Sequence, residues 1–223
     1  HGAQVANARF GGQYSPTTTE RDLIAGYGQP GDDPSVQKGL TLVAAAGNNA
    51  MNVDINSFCP ACYSSQLSNV ISVAATSSNG ALASFSNYGS KVTIAAPGDQ
   101  ILSTVPVGAF GTQNRYATIS GTSMAAPHVT GALALLLSLK PTWTPLQLKR
   151  ALIATATPVA SLSNATYSGG LLNLKNLVTL TTPPGALLRV GIQGNGYGSV
   201  KIGDSRTCTT TCVGAANGSS VTL

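Results

Sequence analysis

The chain has 223 residues, enough for one large α/β domain or for a domain with a small appendage. Apolar residues make up 43% and charged residues only 9%, with Gly, Ser, Thr and Asn filling the gap, so the surface is polar without being ionic, as suits an exported protein. The net charge of +5 comes from 12 Lys and Arg spread along the chain, without the clustering of a nucleic-acid footprint, so nucleic acid is not expected as a partner.

In chain order, Val5 to Ala8 reads as a short strand running into Gly11-Gly12. Thr17 to Tyr27 carries helix signals: Thr caps, Glu20 in the first turn, and Leu23 and Ile24 on the apolar face. Gln29 to Asp33 reads as a turn. Leu40 to Ala46, Val70 to Ala75 and Val92 to Ala96 are continuous apolar runs, the pattern of strands buried on both faces. The spacing predicts a helix over Ala125 to Leu139 with Pro127 in its first turn. It is apolar nearly all round and is therefore expected to run through the core, with His128 packed inside. The longest apolar run within it, Ala132 to Leu139, is too short to span a bilayer, so no membrane span is expected. Thr144-Pro145 starts another helix, amphipathic through Leu146, Leu148, Leu152 and Ile153. Buried strands alternating with helices predict an α/β fold of three layers, α/β/α, around a mostly parallel sheet.

After about Leu180 the composition changes. Residues 181–188 read as a linker, and 189–223 alternate apolar and polar residues in short pieces broken by Gly194, Gly196 and Gly198, the mark of β-hairpins. This part is expected to be a partial all-β module. Both ends of the chain read as cut: His1 opens it without a leader, and Val221 to Leu223 is a strand-like triplet with no tail.

The four cysteines form two close couples, Cys59/Cys62 and Cys208/Cys212. Two local disulfides suit an oxidising compartment. A shared four-thiolate zinc site and a thioredoxin-like redox pair are the alternatives, as are free buried thiols.

The chemistry sits at Ile119-Ser120-Gly121-Thr122-Ser123-Met124-Ala125-Ala126-Pro127-His128-Val129. A serine at the entrance of a helix holds its Oγ where backbone N–H groups and the positive end of the helix dipole point, which is where the oxyanion of an acyl transfer would form. Gly121, Ala125 and Ala126 keep the approach open. The lipase-type nucleophile elbow is excluded, because it needs Gly two residues after the serine and Ala125 stands there.

This stretch resembles the serine motif of the subtilisin-like serine proteases, the subtilases, in which the third residue of Gly-Thr-Ser is the nucleophile. The resemblance implies a subtilisin-like fold, hydrolysis of peptide bonds in proteins or peptides, and Ser123 as nucleophile. Ala44-Ala45-Ala46-Gly47-Asn48 resembles the family's oxyanion element, with Asn48 as a donor to the tetrahedral oxyanion. Asn69 to Thr76, Ala83 to Gly89, Ile94 to Gly98, Ile101 to Thr104 and Ser168 to Asn173 look like further family stretches. Substrate contacts are expected from Gly11 and Gly12, which let a peptide backbone approach as an added strand, and from Ala45, Ala46 and Gly47. Arg9 stands where the family usually has Ser. Its side chain either narrows the pocket wall, favouring an acidic or unusual substrate residue, or turns to solvent.

The family order is Asp, then His, then Ser, and the resemblance places both the acid and the base upstream of this chain. His1-Gly2 imitates the family's His motif, but Gly11-Gly12 follow it too soon. The resemblance implies a reaction without a cofactor, allows structural calcium, and assigns no metal ligands here. The tail resembles the start of a bacterial surface β-repeat. The expected whole is a secreted or cell-surface bacterial endopeptidase. The alternative is a catalytically dead relative serving as a surface binding or scaffold module.

Overall fold

A computed structural model of the chain describes residues 2–28, 39–109, 114–190, 200–202, 206–208 and 212–216. The turn expected at Gln29 to Asp33 and the residue His1 lie outside the described residues. So do the side chains of Cys208 and Cys212.

The chain starts with β1 (Val5–Ala8), β2 (Gly12–Gln13) and α1 (Thr18–Tyr27). Thr17 caps α1 by accepting the Glu20 N–H at 3.2 Å. Next come β3 (Thr41–Ala45), β4 (Phe58–Cys59), a 3-10 helix over Ala61–Ser65, and β5 (Val70–Thr76). Then follow β6 (Ile94–Pro97), β7 (Ile101–Thr104), β8 (Tyr116–Ile119), α2 (Thr122–Leu139) and α3 (Pro145–Thr155). The domain closes through β9 (Thr157–Pro158), β10 (Gly170–Leu171) and α4 (Leu174–Val178). Beyond it lie β11 (Ala186–Val190), β12 (Val200–Ile202), β13 (Arg206–Cys208) and β14 (Cys212–Ala216).

Six strands form one sheet in the order β1-β3-β5-β6-β10-β9, parallel except for the β10–β9 pair. Period-2 geometry divides its side chains between two cores. Val43, Ala45, Ile71, Val73, Ala75, Ile94 and Ala96 face α2 and α3, in a cluster with Leu133, Leu136 and Leu152. Ala46, Ala74 and Ala95 face the other way, towards Val53 and Leu162, while Val70 meets Tyr63 and Ile24 of α1. Burial on both faces is why these strands read as unbroken apolar runs.

Two expectations about α2 need correction. The helix begins at Thr122, so Pro127 lies beyond the first turn, and its missing N–H withdraws the bond that the Ser123 carbonyl would otherwise accept. Nor does α2 run through the core. At 100° per residue Ala125, Ala126, Val129, Ala132, Leu133, Leu136 and Leu137 share the sheet-facing side, whereas His128, Leu135 and Leu139 fall on the exposed side. With 18 residues and a mean hydropathy of 1.3, α2 is long and apolar enough by composition to cross a membrane, unlike the shorter run read from the sequence; 44% of it is buried here.

The last strands pair as β11 with β14 and β12 with β13, both antiparallel. β11 begins at Ala186, inside the segment read as a linker, and β11 and β14 pack against α3.

Candidate active site

The carboxyl end of β3 and the amino end of α2 meet at one place, held by neutral hydrogen bonds. The Gly47 N–H donates to Thr122 Oγ1 at 3.1 Å. The Thr122 hydroxyl and N–H in turn donate to Asn48 Oδ1 at 2.9 and 2.8 Å. Thr122 is fully buried, so its hydroxyl has no water to turn to. With Oδ1 accepting both donors, the amide orientation of Asn48 is fixed, and Nδ2 is its free donor end. A methyl group on Gly121 would stand 3.4 Å from Asn48 Nδ2 and 3.7 Å from the Ser123 nitrogen. Two N–H donors therefore border one small space at the start of α2, on the positive side of the helix dipole.

Ser123, the second residue of α2, donates its hydroxyl to the Arg9 carbonyl at 2.9 Å. That contact joins the end of β1 to the helix entrance. The Arg9 side chain is exposed, in line with its turning to solvent. Gly98 lets the end of β6 close on the same entrance: a methyl there would lie 2.9 Å from the Gly121 carbonyl and 3.0 Å from the Ala125 methyl. The Gly121 N–H donates to the Gly98 carbonyl at 2.7 Å.

The buried Asn87 fixes the loop after β3. Its Oδ1 accepts the N–H groups of Asn49 and Met51 at 2.9 and 3.0 Å, and its Nδ2 donates to the Ala46 carbonyl at 2.8 Å. Its own N–H donates to the Gly47 carbonyl at 2.9 Å. With the Ala46 N–H donating to Val73, the backbone polar groups of Ala46 and Gly47 are all engaged within the fold. Ala45 and Ala46 are buried as well. Ala46 and Gly47 thus offer a wall rather than a hydrogen-bonding edge.

Gly11 and Gly12 also differ from expectation. Gly12 pairs with Cys59 across β2 and β4. A methyl on Gly11 would come within 2.5 Å of Phe58 Cε1 and 2.8 Å of the Cys59 carbonyl. The close approach that Gly11 permits is that of β4 within the fold. Cys59 and Cys62 form a disulfide, which ties β4 to the 3-10 helix that follows it. His1 lies outside the described residues. His128 is exposed, with Nδ1 2.9 Å from the Met124 carbonyl, so the core packing expected for it is not found.

The model of the Subtilase family matches residues 1–192, from before β1 to just past β11. The chain is a member of the subtilase family. It is 40% identical over 179 residues to an extracellular protease of Xanthomonas campestris pv. campestris, covering 79% of this chain and 28% of that protein. It is 42% identical over 144 residues to subtilisin NAT of Bacillus subtilis subsp. natto, covering 64% of this chain and 35% of the relative. Among solved structures, a protease of Pseudoalteromonas arctica superposes with a TM-score of 0.62 at 32% identity, covering 79% of this chain and 50% of the other. A cold-adapted subtilisin-like serine proteinase gives 0.57 at 35% identity, with 73% and 54% covered. The subtilase chain thus spans about a third of the length of these curated relatives.

Sequence reasoning about this subtilase missed three residues that shape the site. Thr122 stood inside the quoted motif without a role. Asn87 stood inside the Ala83 to Gly89 stretch without a role. Phe58 carried no signal beyond its place next to Cys59.

Proposed function

We propose that this chain is the C-terminal part of the catalytic domain of a secreted serine endopeptidase, with Ser123 as nucleophile. The observation that carries the reading is the convergence of Asn48 Nδ2 and the Ser123 N–H on one space at the entrance of α2. In the reaction Ser123 Oγ attacks the carbonyl carbon of the scissile peptide bond and its proton passes to an imidazole base. The carbonyl oxygen gains a negative charge to which the two N–H groups donate, and as this intermediate collapses to an acyl-enzyme the imidazolium returns the proton to the leaving amine. Because Thr122 holds Asn48 in place beforehand, little reorganisation is needed when the charge develops. The imidazole and the carboxylate that orients it belong to a His and an Asp upstream, as in the family order. No cofactor enters the reaction.

Export is supported by relatives described as extracellular in Xanthomonas campestris and Dichelobacter nodosus, and by the Cys59–Cys62 disulfide. The substrates are proteins and peptides.

A fluorophosphonate should label the full-length protein on Ser123, and Ser123→Ala should lose both the label and casein hydrolysis. Full-length protein that neither labels nor cleaves would be the scaffold relative instead. This chain alone should leave casein intact, because a serine without a base is a weak nucleophile. Turnover by the chain alone that disappears in Ser123→Ala would place a base within it and overturn the upstream assignment.

A further inference from the structure

A cleft of about 530 Å³ opens between α3, the residues that precede β5 and those that precede β6. Ser64 to Ser68 line it just before β5 starts at Val70, and Lys91 and Thr93 just before β6 starts at Ile94. It therefore sits at the amino ends of two parallel strands. Ser123 belongs to the other end of the sheet, where Asn48 follows β3 and Gly98 follows β6. The 7 residues of β5 rise about 3.3 Å each, so roughly 20 Å of sheet separates the two places. A ligand in this cleft leaves the space beside Ser123 free.

One stripe of α3 faces the cleft: Leu146, Lys149, Arg150 and Ile153, spaced i, i+3, i+4 and i+7. With Lys91 this makes three cations, and among the described residues no Asp or Glu lines the cleft. Asp54, which lies against Lys91, spends its carboxylate oxygens on the Ser90 and Lys91 backbone N–H groups at 2.7 and 2.9 Å. Much donor capacity is left over. The Lys149 ammonium gives two of its three N–H groups to the Ser64 and Leu67 carbonyls. Lys91 Nζ gives one to the Asp54 carbonyl at 3.2 Å. The Arg150 guanidinium has no hydrogen bond or ion pair among the described residues. Burial lowers the Lys149 pKa to about 8, and no counter-charge offsets that desolvation. At pH 7 the amine still carries its charge, so a bound anion would supply what the fold does not.

The cleft is not polar throughout. Leu67, Leu146, Ile153 and Leu187 form an apolar wall beside the cations. A bare inorganic anion would leave that wall wet, whereas a carboxylate on an apolar body would cover it, and the planar Arg150 fork matches a carboxylate. The volume is that of a site for a small organic molecule. We infer that this cleft is a second binding site, taking a small amphipathic carboxylate with its head on Lys91, Lys149 and Arg150 and its apolar body along α3. The C-terminus of a short apolar peptide and a short fatty acid share this chemistry.

The test is calorimetric titration at pH 7 of the full-length protein carrying Ser123→Ala, which leaves peptides uncut. The probes are N-acetyl-Leu-Leu and decanoate, each beside its neutral amide, with acetate and inorganic phosphate as anions that have no apolar body. At least one of the two acids should bind, about tenfold or more tighter than its amide, than acetate and than phosphate. The tighter acid tells a peptide source from a lipid one. Arg150→Gln and Lys91→Gln should each weaken that acid by roughly tenfold, the worth of a charge-assisted hydrogen bond. The Arg150 guanidinium holds no other described part of the fold, so the loss is read on folded protein. Acids that bind no better than their amides, phosphate that binds as tightly as the acids, or affinity unmoved by both variants overturns the inference. So does the absence of binding by both acids at millimolar concentration.

Discussion

Two of the places where the described residues engage polar groups away from water treat them in opposite ways. Where β3 meets α2, all the partners are neutral: Gly47, Asn48, Asn87 and Thr122 satisfy one another at 2.8 to 3.1 Å and direct a single amide donor, Asn48 Nδ2, towards the space beside Ser123. On α3, Lys149 instead brings a charged amine against the Ser64 and Leu67 carbonyls, the latter at 2.9 Å. It lies beside a cleft of about 530 Å³ whose lining includes Lys91 and Arg150. Neutral pairing holds geometry at any pH, whereas a buried amine without a carboxylate makes stability depend on protonation. The first arrangement suits a site that must be ready before substrate arrives. The second leaves a signature in the pH dependence of folding.

The comparison breaks first at Asn48. In the full-length enzyme, Asn48→Ala should lower kcat and kcat/KM together, because the amide meets the oxyanion only in the transition state. The loss should be about 10²–10³-fold, the range known for such a donor in a subtilisin, a member of the same family. A structural turn residue predicts something else, namely reduced stability with a nearly unchanged rate per titrated site. If the titrated rate stayed within a few-fold of wild type, the donor assignment would be wrong.

Thr122→Val comes next. It preserves shape but removes the hydroxyl that accepts from Gly47 and donates to Asn48. The orphaned Gly47 N–H should cost about 1–3 kcal/mol of stability, and the loosened amide should reduce kcat by less than Asn48→Ala does. Thr122→Ser should restore most of the rate, with KM little changed throughout. If Thr122→Val destabilised the protein without touching kcat, Thr122 would be only a packing residue.

Much of this organisation was legible before any coordinates, for a physical reason. β3 and β5 are buried on both faces, so their sequences are unbroken apolar runs, and α1 and α3 carry their Thr caps openly. The start of α2 was misplaced because Pro127 suggested a first turn, although the helix tolerates the proline further in. His128 was placed inside because a nearly all-apolar helix does not reveal which side the sheet will cover. β4, β9 and β10 have two residues each and show no period at all. The serine motif from Ile119 to Val129 is contiguous, so its family resemblance could be read directly. The roles of Asn87 and Phe58 arise from contacts with Gly47 and Gly11 across long stretches of sequence, and no local pattern encodes them.

The smallest effect belongs to Lys149. Burial lowers its pKa from 10.5 to about 8. Between those values the unfolded chain binds more protons than the folded one, so stability should rise with pH from about 8 and fall back as pH drops through 8. The ceiling on the slope is about 1.4 kcal/mol per pH unit, and the gain from pH 8 to pH 10 should be of the order of 1–2 kcal/mol. Tyr14 and Tyr63 act in the opposite sense at higher pH. Desolvation, helped by hydrogen bonds to Glu20, raises both phenols above 10, Tyr14 to about 12, so their contribution is lost only as pH climbs beyond 10. The window from 8 to 10 therefore isolates the amine. Urea midpoints of this chain should climb across it, and Lys149→Met should flatten that climb whatever it does to stability at neutral pH, where losing the donor to two carbonyls and removing a desolvated charge oppose each other. An equal slope in the variant would mean that the Lys149 amine is solvated, and the contrast with the neutral site at Asn48 would fail.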